Sequence, residues 1–236
     1  MPQRAKFLSC AMEELKQLIA DSNPYPLMGE RLHMGNTLAL DFTANNHALF
    51  TIDLKDTPTF DAFVFRQLSD AGCKYGIGGY FEKRAIYSRS DVFATQDQDF
   101  REFHLGIDIW VEAGAPVFAP IAGKVHSFQD NAGFGNYGPT IILAHEIAGT
   151  VFYTLYGHLQ LSDLELMKEG KEIKKGEIFC HVGPFPENGD WPPHLHFQVM
   201  LDMGDLKGDF PGVCSAKDKA YYAAICPDPN IFIGFE

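Results

Sequence analysis

From about residue 100 onward the chain is written in short runs whose apolar and polar residues alternate, parted by Gly, Pro and Asn. A period of two places successive side chains on opposite faces of an extended backbone, so this text predicts a β-rich domain of half-buried strands joined by turns. "GAPVFAPIAGKVHSF", "GPTIILAHE", "VFYTLYGHLQL", "GEIFCHVG" and "HLHFQVML" are the clearest runs, and "LSDLELMKEG" interrupts them with helical spacing. The tail "DFPGVCSAKDKAYYAAICPDPNIFIGFE" reads as loop with one short helix near Lys217 to Ile225.

The first 90 residues mix patterns. "TLALDFTANN" and "HALFTIDL" read as two strands, whereas "TPTFDAFVFRQLSDAGCKYGIGG" opens on Thr and Pro, runs as an amphipathic helix and stops at glycines. The N-terminus reads as an amphipathic helix with Phe7, Leu8, Met12, Leu15 and Leu18 toward a core. The expected organisation is an α/β extension over residues 1–90, too apolar to be disordered and packed on the core, followed by the β-rich domain and its tail over 91–236.

A net charge of −12 argues against nucleic acid or an anionic membrane as partner, since both select basic patches. No apolar run approaches the roughly 20 residues of a membrane span. Glu13, Glu14, Lys16 and Gln17 interrupt any signal-peptide block, and the five cysteines are odd in number, scattered and free of CxxC. These features predict reduced thiols and a cytoplasmic location, or export to periplasm or cell wall had a leader been removed. Composition does not speak to oligomeric state.

Three of the strands carry histidine in one pattern. In "HLGIDIWV", His104, Gly106, Asp108 and Trp110 share one face while Leu105, Ile107, Ile109 and Val111 share the other. Gly106 leaves the space between imidazole and carboxylate open. In "TLYGHLQL", Thr154, Tyr156, His158 and Gln160 form the polar face; in "WPPHLHFQV", His194, His196 and Gln198 do. Imidazole nitrogen and carboxylate oxygen are zinc ligands, and a catalytic site keeps one position open. His104, Asp108 and one of His194 or His196 would supply three ligands. His158 and the other member of the pair would remain for proton transfer, as amide hydrolysis requires. His33, His47, His126, His145 and His181 lack such partners and read as surface or satisfied core histidines.

HxxxD at His104 and Asp108, YGHL around His158 and HLHF at His194 to Phe197, in this order, resemble the M23 metallopeptidases, the lysostaphin- and LytM-like peptidoglycan endopeptidases. "GIDIWVEAGAPVFAPIAGKV", "GNYGPTIILAH" and "EGKEIKKGEIFCHVG" resemble the family's intervening text, so the likeness spans about residues 101 to 200. It implies a mainly β fold, α+β overall: an antiparallel core of the duplicated-hybrid-motif kind with a groove over one sheet, beside the N-terminal α/β extension. It also implies one Zn²⁺ per chain on His104, Asp108 and His196, with His158 and His194 catalytic and Tyr156 and Trp191 as substrate contacts. The expected activity is metal-dependent hydrolysis of peptide bonds in peptidoglycan cross-links or a related peptide.

The loop "PFPENGDWPP" departs from the family's usual small-residue loop. The tail "DFPGVC…CPDPNIFIG" resembles a region following M23-like domains in large intracellular proteins that also hold a kinase-like phosphotransferase and a class III aminotransferase. An intracellular role on another substrate, or binding alone, is therefore the alternative. A non-haem iron oxygenase also uses two histidines and a carboxylate, but its usual HxD spacing is absent.

Overall fold

The structure is a computed structural model; it describes residues 2–94 and 100–235, with side chains described from Met12 on. Helix α1 spans Pro2–Asp21, strand β1 Thr37–Ala39, helix α2 Thr57–Asp70 and strand β2 Tyr75–Gly78. There follow β3 (Phe103–His104), β4 (Ile107–Trp110), β5 (Pro116–Phe118), β6 (Gly123–Asn131), β7 (Gly138–Ile147) and β8 (Thr150–Gly157). The chain then forms β9 (Glu172–Ile173), β10 (Ile178–His181), β11 (His194–Met200), β12 (Val213–Cys214), α3 (Lys219–Ile225) and α4 (Asn230–Ile233).

The fold is mostly β. Eight strands form one sheet in the order β1-β2-β4-β11-β8-β7-β6-β9, antiparallel throughout except for the parallel pair β1 and β2. Two smaller pairs, β5 with β10 and β3 with β12, lie outside it. The first 90 residues add to this sheet directly, because β2 pairs with β4 and brings β1 with it. Leu15 and Ile19 of α1 join Ile107, Ile109, Phe197 and Val199 in the main core under one face. Phe7 and Leu8 lie outside the residues whose side chains are described.

The opposite face is covered in two places. At one end α2 packs Phe60, Val64 and Leu68 with Phe42, Trp110 and Trp191. At the other, Met203, Phe210, Ile225 and Cys226 cover Ile142, Leu155 and Met200. The strip of sheet between these two clusters carries the polar residues of the candidate site.

Local chemistry explains where the first 90 residues depart from expectation. "HALFTIDL" is not a strand: His47–Thr51 is a 3₁₀ turn capped by the Asn46 side chain, which accepts from the Ala48 N–H at 3.2 Å. Such local side-chain bonding competes with sheet pairing. The helical text after Thr57 also divides. Asp56 caps the start of α2, accepting from the Thr59 N–H at 3.1 Å, and the helix ends at Asp70. "YGIG" beyond it is buried strand β2, whose two glycines are a poor strand signal.

Candidate metal centre

Strands β4 and β11 pair with His196 opposite Asp108 and His194 opposite Trp110. Directly opposed residues share a sheet face, so pairing alone brings the carboxylate to the second imidazole. His104 ends β3, whose other edge is held by β12. Between His104 and Asp108, a Cβ at Gly106 would fall 2.6 Å from His196 Cε1 and 2.7 Å from the Phe197 carbonyl oxygen. The His196 ring occupies the space that any other residue would fill.

Three ligand atoms meet there. His104 Nε2 lies 2.9 Å from His196 Nδ1 and 3.2 Å from Asp108 Oδ1, and His196 Nδ1 lies 3.0 Å from the same oxygen. The hydrogen-bond network assigns no proton to any of them. His104 Nδ1 faces the Gly79 carbonyl at 3.1 Å, so its proton is there and Nε2 is bare. The Gln198 amide donates to the Pro211 carbonyl at 3.1 Å, which turns its oxygen toward His196 Nε2 at 3.0 Å. That nitrogen therefore holds the His196 proton, and Nδ1 is bare. Three lone pairs converging without a donor repel one another, and a cation among them removes the repulsion. Ligand–metal bonds of about 2.0–2.1 Å in a tetrahedron require edges of about 3.3–3.4 Å, a few tenths wider than this triangle. The donor set fits a metal ion of the zinc type.

Two more imidazoles flank the triangle. His194 stacks on Trp110 with ring centroids 4.1 Å apart, and its Nδ1 donates to the Pro192 carbonyl at 2.7 Å. Its bare Nε2 sits 3.8 Å from Asp108 Oδ2. The His158 ring is 4.2 Å from that of His194, and its Nδ1 donates to the Asn188 carbonyl at 2.8 Å. All five side chains are between 1% and 6% exposed. Burial holds the His104 imidazole down to about 3 and His194 to about 4, and with its histidine neighbours holds His158 well below the usual range. Burial alone would raise Asp108, but the imidazoles and the Arg84 guanidinium outweigh it and keep the carboxyl well below its ordinary value. At neutral pH Asp108 is thus a carboxylate and His104, His158 and His194 are neutral, the states that ligation and proton acceptance need.

His158 arrives by a route that strand alternation does not describe. Tyr156 pairs with Phe197 and Ile141 and points with them into the main core, while Leu155 pairs with Gln198 on the face of the site. The phase read from "TLYGHLQL" is thus inverted. Strict alternation would send residue 158 into the core after Tyr156. Instead the backbone turns left-handed at His158, with φ of 61°, and swings the ring back over the site. That conformation is held by the His158 N–H donating to Tyr137 O at 2.9 Å and by Gly183 N–H donating to His158 O at 2.8 Å.

Tyr156 is consequently not a substrate contact. It is fully buried, packs on Phe179 and Phe197, and its hydroxyl lies 3.1 Å from Thr154 Oγ1. Trp191 does line the cavity of about 380 Å³ that opens on the triangle, beside His158 and His194. Its indole N–H donates to the Asn136 carbonyl at 3.2 Å. Asn188 builds the departing loop: its side chain bonds Gly183 O, Trp191 O and Trp191 N at 2.9–3.1 Å while its carbonyl receives His158. His145, one of the five isolated histidines, is a core residue satisfied by Ala122 O and Thr154 Oγ1.

Sequence reading missed two side chains. Tyr137 places its hydroxyl 3.3 Å from His196 Nε2. Arg84, fully buried, donates from Nη1 to Asp108 Oδ2 and to Tyr87 Oη, and from Nε to Glu82 Oε2. Tyr137 lies in "GNYGPTIILAH", read only as a turn and strand, and Arg84 lies in no motif. Arg84 stands beside Lys83 and near Arg89 in "EKRAIYSR", where no spacing or pattern singles it out.

Residues 102–207 match the model of peptidase family M23. An uncharacterized metalloprotease of Haemophilus influenzae is 32% identical over 120 residues, which cover 50% of this chain and 23% of that protein. The peptidoglycan DD-endopeptidase ShyB of Vibrio cholerae is 32% identical over 111 residues, 46% of this chain and 24% of its own. An L-Ala–D-Glu endopeptidase of Bacillus subtilis is 29% identical over 115 residues, covering 47% and 33%. The matched stretch thus amounts to a quarter to a third of each relative's length.

Proposed function

We propose that this chain, whose residues 102–207 form an M23 peptidase domain, is a zinc-dependent endopeptidase acting on peptide bonds of peptidoglycan cross-links or a closely related peptide. The observation that carries the reading is the triangle of three unprotonated ligand atoms on His104, Asp108 and His196, flanked by two buried neutral imidazoles. Of the relatives named above, one bears the name of a peptidoglycan DD-endopeptidase and another that of an L-Ala–D-Glu endopeptidase.

One zinc ion per chain would be held by His104, Asp108 and His196, and would supply Lewis acidity that polarises a carbonyl and acidifies water. The chain's own residues do the rest. His158 and His194 have their Nδ1 protons committed to backbone carbonyls, so each presents Nε2 to the cavity as a proton acceptor. Once protonated, the same nitrogen donates to the leaving amine or to the developing oxyanion. Trp191 walls the cavity beside both rings. Residues 1–90 act as an extension of this domain, fixed to it by β2 and by the core residues of α1.

Zinc quantification, together with digestion of purified peptidoglycan and of short peptides by wild type and His194→Ala, tests the reading. One zinc per chain and cleavage lost in the variant are expected; a wild type that takes up no metal refutes it.

A further inference from the structure

Asp108 offers its two oxygens to different partners. Oδ1 belongs to the ligand triangle, and Oδ2 accepts from Arg84 Nη1. The guanidinium is 1% exposed, lies against the Phe42 and Tyr87 rings, and reaches Glu82 Oε2 at 2.8 Å with its Nε. A Cβ at Gly78 would come within 2.6 Å of Nη2, so the glycine leaves the room the guanidinium fills. The backbone is docked as firmly: Arg84 N–H donates to Glu102 O at 2.9 Å, and Lys83 bridges to Phe103 of β3, the strand that ends in His104. Arg84 lies outside the stretch that matches the family, 102–207.

Charge alone does not explain a cation in this place. A guanidinium next to a dication site repels the dication, and more strongly in a buried setting than in water. What it does is geometric. A carboxylate turns readily about its last bond. Released from Arg84, Oδ2 could turn to join Oδ1 on the metal.

We propose that Arg84 is a positioning residue: it holds Asp108 to ligation through one oxygen, so that residues before the family-matched stretch complete the centre. The inference rests on the function proposed above.

The test uses the full chain, freed of metal by chelation, with zinc affinity measured by competition against a chromophoric chelator. Melting of the apo proteins monitors folding. Arg84→Met is expected to bind zinc about 10–100-fold more weakly than wild type. Arg84→Lys is expected to fall between, because one ammonium cannot span Asp108, Glu82 and Tyr87 together. In wild type and variants loaded with cobalt(II), the visible spectrum should shift toward higher coordination in Arg84→Met as Asp108 turns. Zinc affinity equal to wild type, or tighter as charge alone would give, overturns the proposal. Should Arg84→Met fail to fold, Glu82→Gln frees the guanidinium from its second anchor without touching Asp108. A smaller loss of zinc affinity is then expected, and an unchanged affinity is the contrary result. Wild type without zinc uptake counts against the proposed function; wild-type uptake matched by the Arg84 variants counts against this inference alone.

Discussion

Asp108, His194 and His196 converge because the paired strands β4 and β11 keep strict alternation, and His104 joins them from the end of β3 across Gly106. His158 reaches the same point by breaking alternation, and a left-handed residue inside "YGHL" has no signature in composition or period. The residue-scale expectations separate the roles. His104→Ala should abolish stoichiometric zinc. His158→Ala and His194→Ala should retain zinc yet lose about 10²–10⁴-fold in turnover, as loss of a positioned acid–base group typically does. Metal content and turnover measured on the same samples decide; full turnover in either variant removes that histidine from the proton path. Gly106→Ala tests the space itself. Its methyl group would meet the His196 ring and a backbone carbonyl, which no side-chain movement relieves. It should lower zinc affinity at least as much as it lowers thermal stability, read by the chelator competition and a melting curve.

At the scale of elements, the loop from Pro184 to Pro193 connects His158 and His194. Asn188 fixes Trp191 through two hydrogen bonds, ties it to Gly183 through a third, and accepts the His158 Nδ1–H on its carbonyl. Asn188→Ala leaves buried backbone groups of Gly183 and Trp191 without partners, at a cost of roughly 1–3 kcal/mol for each group left unsatisfied. The variant should melt earlier and lose turnover while keeping zinc, since no ligand touches the loop. Loss of zinc instead would place the loop in the metal centre. The sequence marked this segment as unusual but could not assign its work, because the bonds of Asn188 depend on tertiary approach. β8 was recognised with its phase inverted, since Thr154 and Tyr156 look polar but are a buried pair beside His145. "HALFTIDL" failed as a strand because one capping asparagine outweighed its apolar content.

Across the whole molecule, buried neutral imidazoles set the response to acid. His145, remote from the metal ligands, is held by burial to about 4, below the ordinary value near 6.5. The unfolded chain therefore takes up a proton between these values before the folded one does, and stability falls as pH drops from about 6.5 to about 4. From this group alone, about 2 kcal/mol should be lost between pH 7 and pH 5. His145→Gln removes the linkage, so the stability gap between variant and wild type should narrow by about that amount over the same range in urea unfolding. A constant gap would mean that His145 titrates alike in the folded and unfolded chain. The overall class, mostly β with an antiparallel sheet, was readable from period and turn residues. The sharing of one sheet between the first 90 residues and the rest was not, because β1 and β2 are three and four residues long.

Strand β11 is bonded along both edges, to β4 on one side and β8 on the other, and is buried over its whole length. Its amides cannot be reached by solvent through fraying of a sheet edge. Exchange of the His194–Met200 amides with deuterium should thus report only the complete opening of the molecule. His196 rides on this strand, but the ligand triangle opens on the cavity, so a bound ion can leave while β11 stays paired. The half-life of zinc in excess chelator should then be shorter than the slowest amide exchange times of β11, and insensitive to variants that change only global stability.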